Sequence, residues 1–206
     1  YIVAASGYLQ ETDPSNPKLG IKSGKQRIWN FIAPKVHDFT WAADPDYTHD
    51  IYDGPNGVKL NFYYKNDPEI ISNWKKLQPI TAELMRFFNE NIGMYPYNQY
   101  SVVQGGDGGM EYSMLTLINS GKEFVPLVSV TSHELAHAWF QGVLATNEMK
   151  HEWMDEGSAS YFGDLAESFV LGSDFYNSIY SSYFRYISLA NSGQEMPQAT
   201  NANRYK

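Results

Sequence analysis

His133-Glu134-Leu135-Ala136-His137 constrains this chain more than any other five residues. The motif lies in a stretch, 126–144, that reads as helical. A helix turns about 100° per residue, so positions four apart differ by about 40° and share one face. Two imidazoles so placed can hold a single metal ion through nitrogen at about 2.0–2.1 Å. Glu134 follows the first imidazole, which brings its carboxylate beside the open side of such an ion, where a water would sit. The chain has no cysteine. Disulfides, thiolate sites and cysteine nucleophiles are therefore excluded together, and any zinc site must be completed by His, Asp or Glu.

The pattern alone is expected by chance about 0.007 times in a chain of this composition. A second element lowers that figure about 17-fold. Trp153-Met154-Asp155-Glu156-Gly157 opens the next helical stretch and sets Glu156 nineteen positions after His137. Two histidines and a carboxylate from a neighbouring helix leave a fourth position for water. Three protein ligands plus water is the catalytic pattern, whereas closed four-ligand sites are structural.

The rest of the chain supplies the frame. Residues 1–45 read as β, with strands at 1–5, 27–32 and 36–41, too few to close a core alone. Turn formers at Asp44-Pro45-Asp46 and Asp53-Gly54-Pro55 mark a boundary, which divides the chain into 1–45, the last strands of an N-terminal β domain, and 46–206. Val58 to Tyr64 reads as a strand. Asp67-Pro68-Glu69 offers an N-cap, a first-turn proline and an early carboxylate. Behind it Ile70, Trp74, Leu77, Ile80, Leu84, Phe87 and Phe88 recur at three- and four-residue intervals, a helix of about six turns ending at Gly93. Strands at 97–103 and 110–118 flank a glycine-rich segment. Helices at 126–144, 153–171 and 173–191 complete an α+β pattern.

Composition removes several classes of partner. The 15 basic and 23 acidic residues sum to −8, which disfavours a nucleic acid held through its phosphates. With 43% hydrophobic and 18% charged residues, disorder is excluded. No apolar run approaches the roughly 18–20 residues of a membrane helix, and no signal peptide follows Tyr1. A chain running from Tyr1 to Lys206 reads as an excerpt of a longer polypeptide. Compartment is not legible.

His-Glu-Leu-Ala-His-Ala-Trp-Phe from His133, with Trp-Met-Asp-Glu-Gly-Ser-Ala-Ser-Tyr from Trp153, resembles the gluzincin aminopeptidases of the aminopeptidase N and leukotriene-hydrolase type. Upstream, Gly108-Gly109-Met110-Glu111-Tyr112 is similar to that family's exopeptidase Gly-x-Met-Glu-Asn motif. The resemblance covers most of 97–170. It implies a thermolysin-like zinc-peptidase domain in which a small mixed sheet is followed by the helices carrying the motif. It implies one Zn²⁺ on His133, His137 and Glu156, with Glu134 as general base. It makes Glu111 the carboxylate that receives a peptide's free α-amine, so the partner is a peptide with a free N-terminus. The glycine-rich strand of Gly108, Gly109 and Met110 would then let a substrate backbone add alongside. Asp164, eight positions past Glu156, is a candidate to orient a ligand histidine.

The match departs from the family at Tyr112 and Asp155, where asparagine is usual. The family's transition-state tyrosine and its C-terminal helical domain would fall beyond residue 206, leaving this stretch incomplete at its C-terminus and inactive on its own. Alternatives are a thermolysin-like endopeptidase, against which Glu111 argues, and a non-catalytic module using the same fold. His37, His49 and His151 read as surface or packing histidines, and Tyr161 as core. The series Phe175, Tyr176, Tyr180, Tyr183, Phe184 and Tyr186 reads as core or domain interface.

Overall fold

The computed structural model describes residues 1–106, 108–119, 121–200 and 204, without the side chains of 175–178. The first 44 residues form short antiparallel pairings. Strand β1 (Ile2–Ala5) pairs with β7 (Trp41–Asp44), β2 (Tyr8–Leu9) with β6 (Phe31–Ile32), and β4 (Asn16–Ser23) with both β3 (Thr12–Asp13) and β5 (Gln26–Ile28). A five-stranded sheet follows, built from β8 (Tyr47–Asp53), β9 (Lys59–Lys65), β10 (Gln99–Gln104), β11 (Gly109–Tyr112) and β12 (Leu115–Ile118) in the order β11-β12-β10-β9-β8. Its three inner strands are parallel, and β8 and β11 are antiparallel edges.

Helix α1 (Pro68–Asn91) makes the crossover from β9 to the parallel β10. Its start follows the local chemistry: the Asp67 side chain accepts from the Glu69 amide at 2.9 Å, and Pro68 occupies the first turn, where no amide partner is needed. Asp50 on β8 ties the helix down, accepting from Tyr64 Oη at 2.5 Å, Gln78 Nε2 at 2.8 Å and Lys75 Nζ at 2.5 Å. Helices α2 (Phe124–His137), α3 (Ser158–Leu171) and α4 (Phe175–Asn191) follow. Single π-helical stretches, Ala138–Val143 and Trp153–Gly157, extend α2 and precede α3.

Both faces of the sheet are covered, and the strands alternate accordingly. Leu60, Phe62 and Tyr64 point into the main core with Trp74, Phe88 and Trp139, while Tyr63 points the other way. On that opposite face Tyr63, Val103 and Leu115 meet Ala4 and Tyr47. Fully buried aliphatic and aromatic side chains contribute roughly 1.5–3 kcal/mol each, so the larger helical core dominates the stability.

Three readings of the sequence change here. The strand expected over 36–41 starts only at Trp41, because Lys35 turns into the left-handed region at φ 57° and the segment behind it stays irregular. The strand expected over 110–118 is a hairpin, reversed through Ser113 and Met114, the latter at φ 62°. The polar stretch around Asp46 and Asp53 encloses β8, whose pairing with β9 supplies what its local sequence lacks. The α+β class stands, and among the described residues no helix is long and apolar enough to cross a membrane.

Candidate metal centre

Helix α2 carries His133 and His137 to its C-terminal end, with Leu135 and Ala136 turned into the core between them. Helix α3 lies close beside it. Ser132 Oγ donates to the Gly163 carbonyl at 2.8 Å. A Cβ on Gly163 would stand 3.0 Å from His133 Cα, so only a residue without a side chain allows this approach. The contact sets the helices at a spacing that delivers Glu156 from the stretch before α3.

The three side chains converge. His133 Nε2 and His137 Nε2 are 3.2 Å apart, and Glu156 Oε2 lies 3.4 Å from the first and 3.7 Å from the second. Ligands about 2.0–2.1 Å from a tetrahedral centre are separated by roughly 3.3–3.4 Å. The observed triangle has that size. His137 Nδ1 faces Asp155 Oδ1 at 2.5 Å, and both residues are almost fully buried at 1% and 2% exposure. That carboxylate keeps the proton on Nδ1 and leaves the Nε2 lone pair facing the other two ligand atoms. Lone pairs crowded this closely need a cation between them, so the residues fit a divalent metal.

Charge in the site follows from the same packing. Burial pushes the Glu134 carboxyl up to about 7, against the pull of His133 and His137. For His137 burial opposes the charged ring, but its hydrogen bonds to Asp155 and Glu156 outweigh this and raise it to about 10 without a metal. Hydrogen bonds from the two histidines hold Glu156 below the usual carboxylate range. Burial raises Glu111.

Glu134 is only 5% exposed, and its Oε2 is buried without a hydrogen-bond partner. Across from it stands β11, an edge strand that brings Glu111 in. Carboxylate oxygens of Glu111 and Glu134 and a ring nitrogen of His137 lie within 4.8 Å of one another. Gly109 passes so close that a Cβ there would overlap the Glu134 carboxylate. Met110 is exposed beside it, and Gly108 has open space around it.

No protein-family model matches the chain. Among curated proteins it is similar to aminopeptidase N of Oryctolagus cuniculus, 26% identical over 131 residues, covering 56% of this chain and 14% of that protein. Aminopeptidase A of Gloydius brevicauda is 22% identical over 123 residues, covering 54% and 12%. Aminopeptidase N of Homo sapiens is 24% identical over 132 residues, covering 56% and 13%. Over about half of its length the chain is thus similar to curated aminopeptidases N and A. It spans 12% to 14% of the length of the relatives it matches.

His133, His137 and Glu156 form one group and Glu111, Glu134 and His137 a second, the two sharing His137. Asp164 lines an apolar pocket of about 480 Å³ between α3 and α4 with Tyr161, Ile179 and Tyr183. The carboxylate on His137 is Asp155, which the sequence marked only as a departure from the family's asparagine. Its position one residue before Glu156 was the available signal. Glu148 is the other unforeseen neighbour: carboxylate oxygens of Glu111, Glu148 and Asp155 lie within 4.8 Å of one another. Tyr161, read as core, is 52% exposed against Phe162. Tyr180, Tyr183, Phe184 and Tyr186 are exposed too, which removes the core reading for them, and the side chains of Phe175 and Tyr176 lie outside the described residues. His49 stacks on Tyr63 at 4.1 Å, a packing role.

Proposed function

We propose that this chain is the front part of a zinc aminopeptidase catalytic domain of the thermolysin-like kind, spanning 46–206 and preceded over 1–45 by strands of a β domain. The observation that carries the reading is the triangle of His133, His137 and Glu156 nitrogen and oxygen atoms, 3.2 to 3.7 Å on a side, with the unpartnered Glu134 carboxylate beside it. His133, His137 and Glu156 would hold one Zn²⁺. When bound, the ion supplies a Lewis acid that polarises a scissile carbonyl and lowers the pKa of water.

Glu134 takes the proton of the attacking water on its free oxygen and returns it to the departing amine. Asp155 holds the His137 ring in one tautomer. Glu111 receives the substrate's α-ammonium, which restricts cleavage to free N-termini. Among the described residues the outer side of β11 has no strand neighbour in the sheet, so Gly108, Gly109 and Met110 border an edge where a peptide backbone can add as a further strand. The partners are a peptide with a free N-terminus and the C-terminal helical domain of the same polypeptide.

The test compares a free-amine peptide with its N-acetylated twin on the intact protein. Cleavage of the free form alone is expected. Equal cleavage of both points instead to an endopeptidase, and cleavage of neither, in protein that holds zinc, to a non-catalytic module.

A further inference from the structure

Between β6 and β7 the segment 33–40 forms no regular element, yet it is held at both ends. Tyr97 Oη donates to the Lys35 carbonyl at 2.7 Å. The Ser6 N–H donates to the Thr40 carbonyl at 3.0 Å, and the Thr40 N–H to Ser6 Oγ at 3.2 Å. Between these anchors the partly buried Asp38 reaches across to the larger sheet and its helices. Its Oδ1 accepts from the Ser113 backbone N–H at 2.8 Å, and its Oδ2 from Gln141 Nε2 at 3.4 Å. Gln141 Nε2 also meets His37 Nε2 at 2.7 Å. Two acceptors in front of one amide fix which way it faces, because the flipped group would set its oxygen against the Asp38 carboxylate. Ser113 and Gln141 are both buried, at 5% exposure each.

The two partners of Asp38 belong to different sides of the candidate site. Ser113 opens the reversal from β11 to β12, two residues after Glu111. The next residue, Met114, holds a left-handed φ of 62°, which a residue with a side chain adopts only when its surroundings enforce it. Gln141 lies in the π-helical extension of α2, four residues past His137. One carboxylate therefore ties the edge strand to the helix that carries the two histidines and Glu134. We propose that Asp38 is a positioning residue: it sets the gap between β11 and α2, and with it the placement of a peptide along β11 relative to Glu134 and the three metal-ligand candidates. The inference rests on the peptidase reading of the site. It gives part of the site's precision to the N-terminal strands rather than to the region that bears the ligands. The gap has little slack, because Gly109 already passes so close to Glu134 that a Cβ would overlap its carboxylate. Without Asp38 the Ser113 N–H is a buried donor with no acceptor, and the reversal loses the bond that holds it. A shift on the order of 1 Å between peptide and reacting groups can cost about 10²-fold in rate.

Asp38→Ala removes both contacts, whereas Asp38→Asn keeps an oxygen for the Ser113 N–H. On the intact zinc-loaded protein with a free-amine peptide, Asp38→Ala should lower kcat by about 10–10²-fold. KM should move by less than about threefold, the mark of lost transition-state placement rather than lost binding. Zinc content should stay at the wild-type level. Asp38→Asn should recover most of the loss. Amide hydrogen exchange over 109–114 should quicken in Asp38→Ala and return to the wild-type rate in Asp38→Asn. Gln141→Ala cuts only the helix end, so it should lower kcat in the same direction, and adding it to Asp38→Ala should cost nothing further. Wild-type kcat in Asp38→Ala at a lowered melting temperature marks a docking contact only, which overturns the inference and spares the peptidase reading. Where Asp38→Ala does not fold, wild-type kcat in Gln141→Ala overturns it in the same way. A loss that Asp38→Asn fails to recover, losses that multiply in the double variant, or unchanged exchange over 109–114 overturn it too. A wild type that cleaves no peptide removes the peptidase reading and the inference with it.

Discussion

The two faces of the five-stranded sheet are built for different purposes. One is covered by α1, α2 and α3, with Trp74, Phe88 and Trp139 interlocked in a dry core, and every candidate metal ligand is mounted on that side. The other is covered by short strands over a small cluster, Ala4, Tyr47, Tyr63, Val103 and Leu115, next to a polar network. In that network His49 Nε2 meets Asn61 Oδ1 at 2.9 Å, and Gln99 Oε1 accepts from Asn61 and Ser101. Asn61 uses its amide as the donor to Gln99, so its oxygen must accept from His49. The His49 tautomer is thereby set, and its buried Nδ1 is left without a partner. A site needing sub-ångström ligand placement stands on the face with the greater apolar burial, where packing leaves side chains few alternatives.

The contrast can be broken or sharpened by measurement. The largest effect is expected at the site itself. Glu134→Gln should lower turnover of the intact enzyme by about 10²–10⁴-fold while zinc content by atomic absorption stays at wild-type level. Loss of zinc instead would mean that Glu134 supports the ligands rather than the proton transfer. Next comes the core beneath it. Trp74→Ala should destabilise by about 3–5 kcal/mol in urea unfolding, whereas Val103→Ala on the opposite face should cost about 1.5–3 kcal/mol. Equal costs would erase the asymmetry between the faces.

Acid should act on the strand-covered face. Burial lowers His49 to about 4, so the folded protein resists a proton that the unfolded chain accepts below about 6.5. Stability from this group is present above pH 6.5 and is lost as pH falls towards 4, up to about 3 kcal/mol. His49→Gln should flatten that part of the urea-midpoint profile, and an unchanged profile would refute the assignment. The smallest effect is expected from Asp155→Asn, which keeps the shape and removes the charge behind His137. Zinc affinity by competition with a chelator should fall about 10–100-fold.

Much of the helical face was legible because its signals are local. The 3.6-residue period exposed α1, and the Asp67-Pro68 start was read from cap chemistry that the structure contains. The strand-covered face was less legible. β8 runs through aspartates and a histidine, and its stability comes from β9 across seven paired residues, Tyr47 to Asp53. The hairpin at Met114 depended on a left-handed turn at a residue type that does not advertise one. The aromatic residues of α4 carry helical spacing, but spacing does not say whether a face finds a partner, and among the described residues Tyr183 and Phe184 stay exposed.

The chain's own order of residues settled that His133 and His137 share a helical face with Glu134 between them, because four-residue spacing and helical geometry are properties of neighbours along the backbone. It also marked Glu156 and Glu111 as carboxylates worth watching. Whether these groups met was a matter for the fold: the Gly163 approach to His133 brings Glu156 across, and the β11 edge brings Glu111 up to Glu134. Asp155 behind His137 and Glu148 beside Glu111 came only from tertiary structure. Their partners lie 18 and 37 positions away in sequence, and no local periodicity encodes the crossing of two helices or the path of the loop between them.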